Sequence, residues 1–567
     1  MVSFQDFLTT ESFEGFEDAA KFETWKPDIE SYRRKLAEGL PSEYKIDLPK
    51  PVDKLIEEKF NAIEYLKAQN VYTKEESDIV KLPVADLLSK IANGDLKSVD
   101  VLKAFARRAV IAHQFTNCLA DIFIDEGIKR AEYLDEYLAK NGKTIGPFHG
   151  LPISLKEHLN YKGRITHASY VSMLRNIPES HGKTTQILED LGAVFYVRTT
   201  TPQTLMHLDS NNNITGLTRN PFNLSLSSGG SSSGEGALIP FDGSPIGIGS
   251  DIGGSIRAPA AFCDLYGLKP TTLRVTGSGG VSGAAGNESV VGTLGPMTRR
   301  IDDLDLWYQI YINEGKPWER DCNTIFAPWR KVETPKPSSL KIAVMYDDGV
   351  IKPTPPIRRG LDHVVSKLKE AGVEIVSFDP IKVQEAYDTV NKFYSGDGNQ
   401  TQKNFLSASG EPLVKLTKWN LNFGNGSKGL TVFEERQLNK FKTELKTEYH
   451  DYLDKNGIDF ILGPVFYNTA PPSETSYSWS YTCLYNFLDL PALSFKLGLF
   501  VDTKIDKWPS EHTNYKYRSP LEELSISDYD PDLVKGAPIG LQLAGRRFRD
   551  EEVVAAGKAI AKILSLE

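Results

Sequence analysis

Cysteine is scarce in this chain, with four residues in 567. Cys118, Cys263, Cys322 and Cys483 lie far apart, without the close pairs of a zinc ribbon or a small disulfide framework, so reduced thiols and a cytoplasmic setting are expected. Histidine is sparse too, at nine residues, and no His-Glu-x-x-His or similar metal pattern occurs, so no metal is expected. Positive charge is in deficit: 66 Lys and Arg face 75 Asp and Glu, a net −9. With no useful Lys/Arg run, a nucleic-acid partner is not expected. No stretch approaches 18 uninterrupted apolar residues, so no membrane span is expected. The opening Met-Val-Ser-Phe-Gln-Asp-Phe lacks the basic-then-apolar layout of a secretory signal. Triplets such as Asn213-Ile-Thr and Asn425-Gly-Ser therefore read as chance matches to a glycosylation acceptor. A phosphate loop is absent as well. Gly142-Lys-Thr and Gly182-Lys-Thr carry Tyr137 and Ile177 where the leading glycine must stand.

What is present is an ordinary globular composition, 40% hydrophobic and 25% charged, with helix and strand patterns in alternation. Residues 1–80 read as a helical, proline-broken extension. In it Leu55, Ile56, Phe60, Ile63 and Leu66 give a helix over 53–69 one apolar face for packing on a larger body. From 81 onward helices over 84–92, 98–110 and 126–141 precede an apolar strand that ends at Lys156. A helix over 184–191 leads to a strand at 193–197. Residues 238–248 read as strand-like and 256–265 as a helix. Later strands are expected at 341–345, 374–378, 460–464 and 538–546, the last suited to a sheet edge. Residues 385–455 read as a helical elaboration. The pattern describes one large α/β domain over 81–567, with its core motifs in 146–310.

The densest local signal is Gly229 to Arg257. Two Gly/Ser clusters flank a short apolar passage. Glycine forfeits backbone entropy and serine competes for backbone hydrogen bonds, so such clusters imply amides and hydroxyls converging on something small. Gly230-Ser-Ser-Ser-Gly234 satisfies the Gly-x-Ser-x-Gly nucleophile elbow of α/β-hydrolases, with Ser232 in the middle. That elbow needs a preceding strand, and Asn223-Leu-Ser-Leu-Ser-Ser reads as loop. It also needs a later histidine, and His363, His450 and His512 have no strand-end setting. A serine nucleophile without histidine needs another base, and a buried, deprotonated lysine is the usual substitute. Lys156, at the end of its apolar strand, suits that role. Ser231 offers a relaying hydroxyl and Ser255 a nucleophile. Gly253 and Gly254 let consecutive amides face a developing oxyanion, and a helix starting near Ser255 would add to that field.

Gly229-Gly-Ser-Ser-Ser-Gly-Glu-Gly-Ala, Gly249-Ser-Asp-Ile-Gly-Gly-Ser-Ile-Arg-Ala-Pro-Ala, Gly267-Leu-Lys-Pro-Thr and Gly150-Leu-Pro-Ile-Ser-Leu-Lys together resemble the amidase-signature family. Asn220-Pro-Phe-Asn, Gly295-Pro-Met, Tyr481-Thr and Gly540-Leu-Gln-Leu-Ala-Gly-Arg extend the likeness to about residues 80–560. The helical N-terminus and Ile-Ser-Leu-Lys-Glu-His resemble the fungal acetamidase branch. The resemblance implies a central mixed, twisted sheet with helices on both faces, and a Ser–cis-Ser–Lys triad. Ser255 would be the acylated nucleophile, Ser231 the bridging serine after a cis bond, and Lys156 the base. It further implies an oxyanion hole from the amides of Ile252, Gly253, Gly254 and Ser255, with Leu205 meeting the substrate amide. One departure is Ser233, where the family often has glycine. The implied activity is hydrolysis of small carboxylic amides to carboxylate and ammonia or amine without a cofactor, and carbamates such as ethyl carbamate or esters are the alternative. A homodimer is compatible with this reading. A glutaminase subunit of a tRNA-dependent amidotransferase would need partner subunits, and a silent binding member would not keep all three triad residues.

Overall fold

A computed structural model describes residues 2–8 and 13–566. Eleven strands form one mixed sheet. From one edge they run Leu119–Ile122 (β1), Val197–Thr199 (β3), Ser154–Lys156 (β2), Ile246–Asp251 (β6) and Thr293–Thr298 (β8). The order continues with Tyr266–Lys269 (β7), Ala492–Phe500 (β12), Pro538–Gly545 (β13), Phe460–Pro464 (β11), Lys341–Val344 (β9) and Glu374–Ser377 (β10). A separate small hairpin pairs Arg219–Asn220 (β4) with Asn223–Ser227 (β5). β2 lies parallel to both β3 and β6, and β9 lies parallel to β10 and β11, while the strands between are antiparallel.

Side chains alternate between the two faces, as the pleat requires. Ile342, Val344, Leu493, Leu541 and Leu543 join one buried cluster, with helices 301–313, 355–370 and 550–563 packed on it. Ala343, Ile461, Ala492 and Ala544 join the opposite cluster, under the helices at 257–262 and 480–487. Both faces are thus covered, as the resemblance implied. The strands buried on both sides are near-continuous apolar runs for that reason.

Several local expectations are corrected. The helix foreseen over 53–69 is two helices, Val52–Glu57 and Ala62–Ala68. Lys59 between them takes φ +53, and the Asn61 side chain caps the second helix by accepting from Glu64 N at 3.0 Å. The break lets Leu55, Ile63 and Leu66 still reach one core with Val110 and Phe115. Residues 238–248 are not a strand throughout. A helix, Ser233–Leu238, and a 3-10 turn, Ile239–Phe241, precede β6. Gly234 sits against the backbone of Cys118 and Thr200, an approach any side chain would block. The helix expected over 256–265 spans only Arg257–Phe262, since Asp264 turns to φ +57. The strand placed at 193–197 is a single bridge at Val194, followed by β3. β13 is interior, between β12 and β11, and tolerates Pro538 because proline holds its first position.

Four helices fill the elaboration: Val383–Tyr394, Gln400–Ser409, Lys415–Leu421 and Val432–Lys455. Tyr394, the last residue of the first, donates its hydroxyl to Ile252 O at 2.6 Å, and Glu411, between the second and third, accepts from Gln203. Among the described residues, no helix is long and apolar enough to cross a membrane.

Candidate active site

β2 carries Lys156 into the interior, flanked by β3 and β6 on either side. The side chain is fully buried, and Nζ donates to Ser231 Oγ at 2.7 Å and to Ser250 Oγ at 2.8 Å. Burial pushes the ammonium down to about 7, against the pull of the Asp251 and Glu235 carboxyls. Glu235 is buried as well. Burial pushes its carboxyl up to about 8, while the Ser154 and Thr199 hydroxyls donate to it at 2.5 and 2.9 Å. A base that is half neutral near pH 7 is what proton abstraction from a serine requires.

Ser231 follows a cis peptide bond from Gly230. Ser255 lies at the far end of a turn after β6, and both serines line one cavity of about 190 Å³. The two strands of chain are tied by Ser232 N donating to Ser255 O at 3.2 Å. No hydrogen bond joins the Ser231 and Ser255 hydroxyls among the described residues; such contacts commonly tighten only when substrate is present.

The turn holding Ser255 hangs on Asp251. Its Oδ1 accepts from Gly254 N at 2.8 Å and its Oδ2 from Ile256 N at 3.2 Å. Arg257, also fully buried, clamps the same carboxylate at 3.0 and 3.1 Å and reaches Asn486, Gln542 and the Thr482 carbonyl. The paired guanidinium holds the Asp251 carboxyl down at about 2 against the opposing effect of burial. This corrects one expectation: the Gly254 amide is already committed to Asp251. The amides of Ile252, Gly253 and Ser255 have no protein acceptor among the described residues and remain for an oxyanion. Gly254 takes φ +134, and a side chain there would strike Thr482, whose hydroxyl donates to Gly253 O at 2.6 Å. The helix after Ser255 has six residues, so its dipole is weaker than a longer helix would supply.

Leu205 borders the cavity. Thr204 and Leu205 both take left-handed conformations, φ +67 and +64, which side chains adopt only when their surroundings insist. The insistence comes from Gln203, bound to Glu411 Oε2 at 2.7 Å and accepting from Val414 N at 2.9 Å. Met206, Ile252, Val281, Val290 and Leu294 give the cavity its apolar walls.

Ser232 is excluded, though for a different reason than the sequence offered. Residues 223–227 do form a strand, β5. What removes Ser232 is full burial outside the cavity lining, with Oγ accepting from Ser250 N at 3.2 Å. None of His363, His450 and His512 borders the cavity. Ser233 is accommodated, its hydroxyl donating to Asp209 O at 3.0 Å. Sequence reasoning missed Ser250 and His158, whose Nε2 lies 3.0 Å from Ser250 Oγ. The signal for both was present within the quoted motifs, as a hydroxyl one strand away from Lys156 and a histidine two residues after it. Among the described residues no cluster of three or more His, Cys, Asp or Glu could hold a metal ion.

The fold thus brings a buried lysine, two serines and amides with no protein acceptor among the described residues together at or beside one cavity. The family model described as Amidase matches residues 100–554, and the chain belongs to the amidase-signature family. The acetamidase of Emericella nidulans is 35% identical over 552 residues, covering 96% of this chain and 98% of that protein. A putative amidase of Schizosaccharomyces pombe, C550.07, is 37% identical over 487 residues, covering 86% and 89%. A solved structure named fatty acid amide hydrolase superposes with a TM-score of 0.98 at 56% identity, covering 99% of each chain.

Proposed function

We propose that this hydrolase cleaves the C–N bond of carboxylic amides carrying an apolar acyl chain, through an acyl-enzyme on Ser255. The observation that carries this is the buried Lys156–Ser231 pair at 2.7 Å beside the cavity that Ser255 shares. Neutral Lys156 takes the proton of Ser231 as Ser231 takes that of Ser255, and Ser255 Oγ attacks the amide carbonyl. The oxyanion rests on the amides of Ile252, Gly253 and Ser255. The proton then returns through Ser231 to the leaving nitrogen, the C–N bond breaks, and water releases the carboxylate by the same relay.

The cavity supports this acyl preference. Its volume of about 190 Å³ far exceeds what a single water-sized group needs, roughly 10–15 Å³. An acetyl methyl would leave most of those apolar walls bare, whereas a longer chain would cover them. The name of the 56% identical structure, fatty acid amide hydrolase, supports the same reading, while the names of the acetamidases support the smaller amides the sequence suggested. The test is a panel of acetamide, benzamide, dodecanamide, glutamine and ethyl carbamate, with a fluorophosphonate adduct mapped in parallel. Highest kcat/KM on dodecanamide and an adduct on Ser255 are expected. An adduct on Ser232, or undiminished turnover by Ser255→Ala, defeats the mechanism; preference for acetamide defeats the acyl assignment.

A further inference from the structure

Neutrality is only half of what a lysine base needs. A neutral amine has two N–H bonds and one lone pair, and the lone pair must point at the hydroxyl being deprotonated. Lys156 Nζ has two hydroxyl neighbours at almost equal distance, Ser231 at 2.7 Å and Ser250 at 2.8 Å. If Ser250 donated its O–H to Nζ, the lone pair would be occupied and the Ser231 proton would have no acceptor. The direction of the Ser250 bond therefore decides whether the base can act.

That direction is set beyond Ser250. His158 Nε2 lies 3.0 Å from Ser250 Oγ. Burial, with the Lys156 charge beside it, pushes the imidazole down to about 3, so the ring is neutral near pH 7. Its Nδ1 and its own main-chain oxygen border the same spot over Gly280, where an added Cβ would meet them at 3.4 and 2.9 Å. The ring is hydrogen-bonded to its own main chain; with that hydrogen carried on Nδ1, Nε2 is left as an acceptor. The same carbonyl accepts from Val281 N at 3.0 Å, which pins the ring's backbone to the loop over the cavity. The other titratable groups acting on Lys156 are Glu235, from the helix at 233–238, and Asp251, at the end of β6. Neither accepts a hydrogen bond from Nζ; their bonds go to Ser154 and Thr199, and to Arg257, Asn486 and the turn amides.

We infer that His158 is a positioning residue for the base: its Nε2 accepts the Ser250 O–H, Ser250 accepts an N–H of Lys156, and the Lys156 lone pair is left aimed at Ser231. The inference rests on the amide-hydrolase reading and refines the base of that same site. His158 touches no reacting atom in this scheme.

The experiment compares His158→Leu, His158→Gln, Ser250→Ala and the Ser250→Ala/His158→Leu double variant in the full chain. Glutamine places an amide oxygen near the position of Nε2, and leucine offers no acceptor. The expected result is a fall in kcat of about tenfold or more for His158→Leu, at the low end of proton-transfer contributions, with KM little changed. His158→Gln should recover most of it. Ser250→Ala should fall similarly, and the double variant no further, since both break one chain. Thermal melting checks the fold, and the rate of Ser255 phosphonylation repeats the comparison without an amide substrate. Wild-type kcat in His158→Leu, equal losses in His158→Leu and His158→Gln, or additive losses in the double variant overturn the inference. A wild-type protein that neither labels at Ser255 nor turns over any amide overturns instead the reading beneath it.

Discussion

The pH dependence of Lys156 offers the sharpest check. An unperturbed lysine titrates near 10.5, and burial brings this one to about 7. At pH 7 about half of the side chain is then the free base, against roughly one part in 3,000 for a solvated lysine. kcat/KM should accordingly rise about tenfold between pH 6 and pH 8 and level off above it, with a single acid limb near 7. The same shift enters stability with a definite sign. Between about 7 and 10.5 the unfolded chain holds a proton at this position that the folded chain lacks, so stability rises with pH across that window. Below pH 7 the full penalty is present, about 5 kcal/mol from a shift of some 3.5 units. Lys156→Met removes that penalty and loses two hydrogen bonds worth about 1–1.5 kcal/mol each. A net stabilisation of about 2 kcal/mol at pH 7 remains, shrinking toward pH 10 as the wild type gains, while turnover falls to a small residue. Ammonia release from a primary amide across pH 5–10, together with thermal melting of both proteins, measures both effects. An acid limb below 5 or above 9, or a limb that persists in residual Lys156→Met activity, would refute the reasoning.

Other expectations follow from the same geometry. Arg257→Ala strands the buried Asp251 carboxylate, and removing one partner of such a pair costs about 3–5 kcal/mol; a much lower melting temperature is expected, and an unchanged one contradicts the clamp. The Asp251 contribution is present above the unfolded value of 3.8 and is lost as pH falls through about 2, so Arg257→Ala should narrow its deficit only in strong acid. Gly254→Ala places a side chain against Thr482 at φ +134; by displacing the adjoining Gly253 and Ser255 amides it should slow Ser255 labelling about 100-fold, the size of one lost oxyanion donor. Val290→Trp fills the apolar cavity and should shift kcat/KM from dodecanamide toward acetamide by tenfold or more, since each methylene is worth about 1–3 kcal/mol; equal losses on both amides would place the acyl chain elsewhere.

The sequence by itself determined the α/β class and the two Gly/Ser clusters, and it singled out Lys156 at the end of an apolar strand. It could do so because those demands are local: glycines where amides crowd, a lysine closing an apolar strand, helices with one apolar stripe. Hairpin β4–β5 and the split helix at 52–68 were not legible, since a polar strand and a left-handed Lys59 owe their conformations to distant partners. Tertiary structure alone decided which hydroxyls meet Lys156, because Ser231 and Ser250 arrive from different segments and only β2 beside β6 brings them to one nitrogen. It also decided that the Gly254 amide belongs to Asp251, and that Glu411 binds Gln203, two residues before Leu205, across some 200 residues of chain. A motif names the residues that chemistry needs. Where a hydrogen bond points, and how far a lysine's charge is suppressed, depend on what is packed around it, and those neighbours come from the whole chain.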